Sequence, residues 1–416
     1  MEPRGLHGLT PLRSSAFRRL WCSTLTLSGA QLMERTATGW LALQTGDAFT
    51  VGLVFAARSL PSLLFGLAAG TVADRVDRRR QMLAVAGLAA LLLAGLSRLV
   101  AAGAIGGWHV VLISLVAGCA QVFDTPARQA LVIDSVPREL APNAMALNAL
   151  AQRLAGAAGA LGGGLLIPLL GLGNCYLVIA LGYGLTALLS TTLPAPRRAR
   201  AALAHAPFSH ALRDAARLIV QLPAVRTLTI SGVACEIFAF SYSSALPVFT
   251  TDVLAIGAAG LGLLNAAASL GGTVGLLLLS LVVGRLRREP LLAAVFLGYG
   301  ASLVLLGTVR ELWLAVAVLV LTGLCAAAFD MLQQTLLQLA VPEEQRGRAV
   351  GIWVLGVGSA PVGNLEMGTL AGLLGAPGGL LVNGALTVAA AALLLARAPH
   401  YRAALRQAPE PRTRVG

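Results

Sequence analysis

The sequence predicts an all-α integral membrane protein of twelve transmembrane helices arranged as two pseudo-symmetric six-helix bundles. Three observations predict it. Of the 416 residues, 57% are hydrophobic and only 12% charged, with a mean hydropathy of +0.79, more apolar surface than soluble domains of ordinary size bury. A bilayer core is crossed by roughly twenty apolar residues, so twelve spans use about 240 residues and leave only short loops. One long polar stretch, Pro194 to Arg226, divides the apolar runs, and motifs before it recur after it.

Charges, prolines and glycine clusters place the spans near 18–44, 50–73, 81–102, 108–129, 145–170 and 174–193, then near 227–250, 259–284, 290–309, 312–335, 349–372 and 377–397. The chain thus reads as an N-terminal half, 1–193, a connector, 194–226, and a C-terminal half with its tail, 227–416. The first span follows Arg4, Arg13, Arg18 and Arg19, but it is too long for a signal peptide and no small-residue cleavage site follows, so it stays attached. In the connector Phe208, Leu212, Ala216, Ile219 and Val220 recur at helical spacing opposite Arg213, Asp214 and Arg217, which reads as a short amphipathic helix on the membrane surface. Phe123-Asp124 at the end of span four recurs as Phe329-Asp330 at the end of span ten. Val136-Pro137 recurs as Val341-Pro342, and Glu139 as Glu344 after a slip of one residue. Parallel repeats of this kind place a transport site between the halves near the midplane.

The net charge of +13 comes from 31 basic residues, every one of them arginine. With the amino terminus inside, the even-numbered loops collect Arg75, Arg78, Arg79 and Arg80, Arg128 and Arg138, the connector arginines, Arg285, Arg287, Arg288, Arg346 and Arg348, and the tail from Arg397. Only Arg98 and Arg310 approach the other face. This is the positive-inside pattern of a plasma-membrane protein with both termini cytoplasmic, and it explains the charge without nucleic acid. The absence of lysine excludes a P-loop lysine and a lysine Schiff base. His7, His205, His210 and His400 lie outside the apolar runs and His109 at the very edge of one, so a proton carrier at membrane depth must be a carboxylate. Cys22, Cys119, Cys175, Cys235 and Cys325 stand singly without metal-ligand spacing. No metal, cofactor or enzymatic chemistry is indicated.

The loop after span two reads Gly70-Thr71-Val72-Ala73-Asp74-Arg75-Val76-Asp77-Arg78-Arg79-Arg80. It resembles the major facilitator superfamily signature Gly-x-x-x-Asp-Arg/Lys-x-Gly-Arg-Arg/Lys-Arg/Lys, with Asp77 where that signature commonly has glycine. Phe123-Asp124-Thr125-Pro126-Ala127-Arg128-Gln129-Ala130, Arg346-Gly347-Arg348, Gly351-Ile352-Trp353 and Pro361-Val362-Gly363-Asn364 resemble the secretion-effector branch, which holds enterobactin-exporter-like and macrolide-efflux-like pumps. The resemblance spans essentially the whole chain and implies the major facilitator fold. It implies a cytoplasmic gate of Gly70, Asp74, Arg75, Arg78, Arg79, Asp124 and Arg128, in which Asp74 caps span eleven near Ala349 and Arg78 pairs with Asp124. Span five offers Gly156, Gly159, Gly162, Gly163 and Gly164 but lacks the proline of the drug-exporter motif.

An ionisable side chain at membrane depth costs at least a few kcal/mol, so each one is a functional candidate. Glu34, Arg35, Arg58, Arg153, Glu236 and Glu366 qualify. Counting about 1.5 Å per residue from the ends of spans one and two brings Glu34 and Arg58 to similar depth, where they form either a static or a working ion pair. Arg35 is left to snorkel or to pair elsewhere. Glu236 lies near the midplane without a basic residue in its own span, and is the first candidate for proton coupling ahead of Glu34. Glu366 is shallower and lines an outer vestibule in this reading. Arg153 holds an anionic substrate, alternates with a carboxylate, or bonds to carbonyls of span four or eight. Gln31, Asn148, Gln152, Tyr242, Asn265 and Asn364 are the polar or aromatic cavity candidates.

The resulting expectation is a monomeric secondary transporter in the lipid bilayer that works by alternating access. It exports a small amphipathic compound, such as a drug, siderophore or secondary metabolite, in exchange for protons. Uptake or uniport of a nutrient or lysolipid-like molecule is the alternative, and a non-transporting sensor or assembly partner is the alternative of another class.

Overall fold

A computed structural model describes residues 7–193 and 208–396. Helices α1 (Ser15–Thr45), α2 (Ala48–Arg75), α3 (Arg78–Ala101), α4 (Gly107–Asp134), α5 (Ala141–Leu170) and α6 (Leu172–Thr191) make the first six passes, and α7 (Phe208–Gln221) lies in the connector. The seventh pass is broken into α8 (Pro223–Ala234), a π-helical turn at Cys235–Ala239 and α9 (Tyr242–Asp252). Then follow α10 (Gly257–Val282), α11 (Arg288–Thr308), α12 (Leu312–Leu339), α13 (Arg346–Val357) and α14 (Ala360–Ala396).

Ten stretches of the described chain are long and apolar enough to cross a membrane. One of them, Arg346–Ala396, has 51 residues and is two passes. Gly375, at φ 73° and ψ 163°, breaks α14, and Asn383 returns to within 2.9 Å of Glu366. A straight helix would hold those two residues roughly 25 Å apart. Helix α1 completes the twelve. Its charges lower its hydropathy, but its 31 residues exceed what a bilayer requires, and it packs along α5 and α6.

The two halves share their local devices. Gly171, at φ 81° and ψ 159°, turns α5 into α6 as Gly375 turns the eleventh pass into the twelfth. Both sit in the left-handed region that suits glycine. Between the halves α5 runs along α10, and α2 along α14. At each crossing glycine meets glycine: a Cβ added to Gly262 would stand 2.8 Å from the Cα of Gly164, and one on Gly52 would stand 2.7 Å from the Cα of Gly368. Only small residues let membrane helices approach so closely. These crossings lie at the far end of the molecule from the turns that carry Arg78–Arg80, Arg138, Arg285–Arg288 and Arg346, here called the basic end. Helix α9 tightens the same far end, with Gly39 of α1 against Pro247.

In connector helix α7 the side chains of Phe208 and Leu212 lie outside the described residues. Leu218 is buried and Ile219 packs beside it on the C-terminal core, against α8 and α13, whereas Ala216 and Val220 are exposed. The C-terminal part of α7 thus meets protein at the start of the eleventh pass.

A polar cavity between the halves

A cavity of about 210 Å³ lies where α1, α2 and α4 face the broken seventh and eleventh passes. Arg35, Phe55, Arg58, Ser59, Ser62, Gly118 and Gln121 line it from one half, and Glu236, Phe240, Ser241, Ser243, Val357, Ala360 and Asn364 from the other. Gln121 is exposed, toward the basic end. Asn364 Nδ2 donates to Ser59 Oγ at 3.3 Å and ties the two walls together. Of the residues read from the sequence, Arg35, Arg58, Glu236 and Asn364 converge here, and Glu34 stands directly behind.

The wall from the N-terminal half is held by an ion pair. Arg58 Nη1 lies 2.5 Å from Glu34 Oε2, and the Glu34 side chain has no exposure. Thr38 donates to Glu34 Oε1 at 3.1 Å and meets the Tyr176 hydroxyl at the same distance, while Arg58 also reaches Gln121 at 3.5 Å. Both carboxylate oxygens of Glu34 are thus engaged, and the bond to Arg58 fixes that guanidinium on the cavity wall. Arg35 forms no ion pair among the described residues, although the charge of Glu34 reaches it. It donates to Ser243 Oγ at 2.8 Å across the halves and lies over the Phe55 ring, 5.4 Å from its centroid.

The opposite wall owes its shape to broken helix. Pro247 lacks the N–H that would bond the Ser243 carbonyl, and Gly363 lies against the Ile237 carbonyl, leaving no space for a side chain. Glu236 sits in the π turn between these constraints. Such turns recur at functional sites. Glu236 has no hydrogen bond or ion pair among the described residues, in contrast to Glu34.

The other candidates take different places. Asn148 accepts from Thr24 at 2.9 Å. Thr24 and Ser23 accept from Arg128, which grips Asp124 with two bonds of 2.8 and 3.1 Å, so Asn148 belongs to a buried network inside the N-terminal half. Asn265 bonds to Thr36 at 3.4 Å between α10 and α1. Glu366 accepts from Asn383 at 2.9 Å and Tyr242 packs edge-on to Tyr299; neither lines the cavity, nor do Gln31 and Gln152. Arg153 makes no side-chain hydrogen bond among the described residues. Its guanidinium fills the notch left by Gly272 of α10, and its charge is drawn to Asp330 on α12.

The loop after α2 corrects one expected pair. Arg78 bonds Asp134 at 2.6 Å instead of Asp124. Asp134 is the last residue of α4, level with the start of α3, whereas Asp124 lies ten residues deeper and is already held by Arg128 one turn away. Arg79 donates to the Thr191 carbonyl at the end of α6. Asp77, in the signature's glycine place, caps α3 by accepting from the backbone of Arg79 and Arg80. The side chains of Gly70's neighbours Asp74 and Arg75 lie outside the described residues.

The sequence reading missed Ser59, Ser62, Gln121, Ser241, Ser243, Phe55 and Phe240 as lining groups. It marked Asp330 as a repeat but not as a site. Asp330 accepts from Trp353 Nε1 at 3.2 Å, and Gln334 stands where the first half has Arg128, so this carboxylate lacks its counterpart's arginine.

The family described as transmembrane secretion effector matches residues 6–413. The multidrug efflux pump Tap of Mycolicibacterium fortuitum is 25% identical over 369 residues, covering 85% of this chain and 88% of the pump. The enterobactin exporter EntS of Escherichia coli (strain K12) is 28% identical over 381 residues, covering 86% of this chain and 83% of the exporter. Among solved structures, the nucleoside transporter NupG aligns with a TM-score of 0.70 at 13% identity, over 94% of this chain and 99% of that one. The peptide-family transporter PepTSo aligns at 0.72 and 12%, over 94% and 99%. At these identities the structural likeness shows the fold.

Proposed function

The chain belongs to the transmembrane secretion effector family of major facilitator transporters, and from that premise we propose that it exports a small amphipathic compound in exchange for protons. It is a multi-pass membrane protein and not an enzyme. The relatives named as a multidrug efflux pump and an enterobactin exporter support export. The basic end is the cytoplasmic side of a plasma membrane, as the positive-inside rule requires, and both termini lie there in a monomer whose moving units are 1–193 and 227–416. The far-end glycine crossings then close the outer side, and the cavity faces the cytoplasm, ready to load.

The observation that carries the coupling is Glu236, a carboxylate on the cavity wall with no partner among the described residues. Ionised, it holds a cationic group of the substrate; protonated from the acidic side, it releases that group, and deprotonation inside resets it. Proton-gradient-driven uptake of a compound panel into inside-out vesicles tests this. Glu236→Gln should abolish gradient-driven accumulation while leaving downhill exchange. Accumulation equal to that of the unsubstituted protein would sink the coupling role.

A further inference from the structure

We infer that the cavity takes an elongated zwitterion, its anionic group at Arg35, its cationic group at Glu236, and a flat apolar middle between Phe55 and Phe240. The inference rests on the transport reading and adds the class of substrate. The charges around the cavity do not cancel in place. Arg58 and Arg35 share one carboxylate, Glu34, which bonds Arg58 at 2.5 Å. Arg35 is left with a hydroxyl bond and an aromatic face, so this wall keeps one positive charge in excess, and Glu236 opposite has no ion pair or hydrogen bond among the described residues. Both line one small cavity without pairing with each other.

Arg35 and Glu236 are half-buried, and charges left unpaired in a small protein-walled cavity carry a cost that falls when each meets its complement. A singly charged ligand satisfies one of the two and leaves the other. A zwitterion satisfies both. Their spacing sets its length: Ser243, the anchor of Arg35, lies seven residues beyond Glu236 across the π turn, about two turns of chain, which sets the two groups on the order of 10 Å apart. An α-amino acid, with its charges about 3 Å apart, is too short to bridge them.

Norfloxacin, its ethyl ester and its N-acetyl derivative share one ring system and carry both charges, the cation only and the anion only. Equilibrium binding of the three to the purified full chain reads the preference directly. Norfloxacin should bind at least about tenfold more tightly than either derivative, the difference of one charged contact. Glu236→Gln should bring it down to the level of the N-acetyl compound, and Arg35→Gln to that of the ester. Ser243→Ala, a milder change, should weaken the anion preference in the same direction as Arg35→Gln. Equal binding of a singly charged derivative, failure of norfloxacin to bind, or a preference that survives both substitutions would overturn the zwitterion site. Flux of the same probes in proteoliposomes separates the two readings. Gradient-driven flux of a singly charged probe without zwitterion preference removes only the substrate class, whereas tight norfloxacin binding without flux removes export.

Discussion

Arg58 and Arg78 each hold a carboxylate, yet their surroundings give these bonds different weight. Glu34 has no exposure and its one ion pair among the described residues is with Arg58, so Arg58→Met removes the bonded counter-charge from a buried carboxylate and should cost about 3–5 kcal/mol. Adding Glu34→Gln should recover much of that loss, which thermal unfolding of the single and double variants would reveal. Asp134 is 48% exposed, so Arg78→Ala should cost less than about 1 kcal/mol in the same assay. The buried pair was legible because both spans start at recognisable boundaries and helical rise converts residue counts into depth. The pairing of Arg78 was not, because a motif names residue types and leaves open which acid of α4 lies level with α3. Asp330 escaped notice for a related reason: its repeat partner is neutralised one turn away by Arg128, and Gln334 breaks that correspondence. Single serines and glutamines among small residues carry no pattern that separates a cavity wall from helix packing.

Helices were legible from hydropathy alone, but their interruptions were not, since the residues of a π turn are those of an ordinary apolar helix. Only the chain reversals left a signal, in glycine. Gly375 and Gly171 have positive φ, so alanine at either should cost about 1–2 kcal/mol through steric strain. Gly372, in open space within α14, should tolerate alanine without loss of thermal stability. At the far end Asp47 caps α2, accepting from the Thr50 backbone at 2.9 Å and from its hydroxyl. These bonds from Thr50 hold its carboxyl below the usual aspartate range. The sign follows: the cap contributes above the unfolded value of about 3.9 and is lost only as pH falls through the lower folded value. Asp47→Ala should therefore reduce thermal stability at pH 7, and the difference from the unsubstituted protein should vanish in strong acid.

At the scale of the whole molecule, the halves meet at the far end in two glycine crossings. Valine at Gly368 or Gly262 would drive a side chain into opposing backbone and should shift the population toward the opposite state. A cysteine at Gln121, in a background lacking the native cysteines, should then react more slowly with an impermeant maleimide applied from the basic side. Cysteines replacing Arg78 and Arg310 should label from opposite faces, which checks the orientation itself. The crossings have one more consequence. The contact of Gly52 with Gly368 repeats that of Gly164 with Gly262, so each half presents to its neighbour the surface its neighbour presents to it. Such a molecule is a two-fold dimer whose subunits happen to be translated in tandem. Two separately synthesised polypeptides, 1–193 and 208–416, should find each other in the bilayer and co-purify, with the covalent link serving to fix stoichiometry rather than shape.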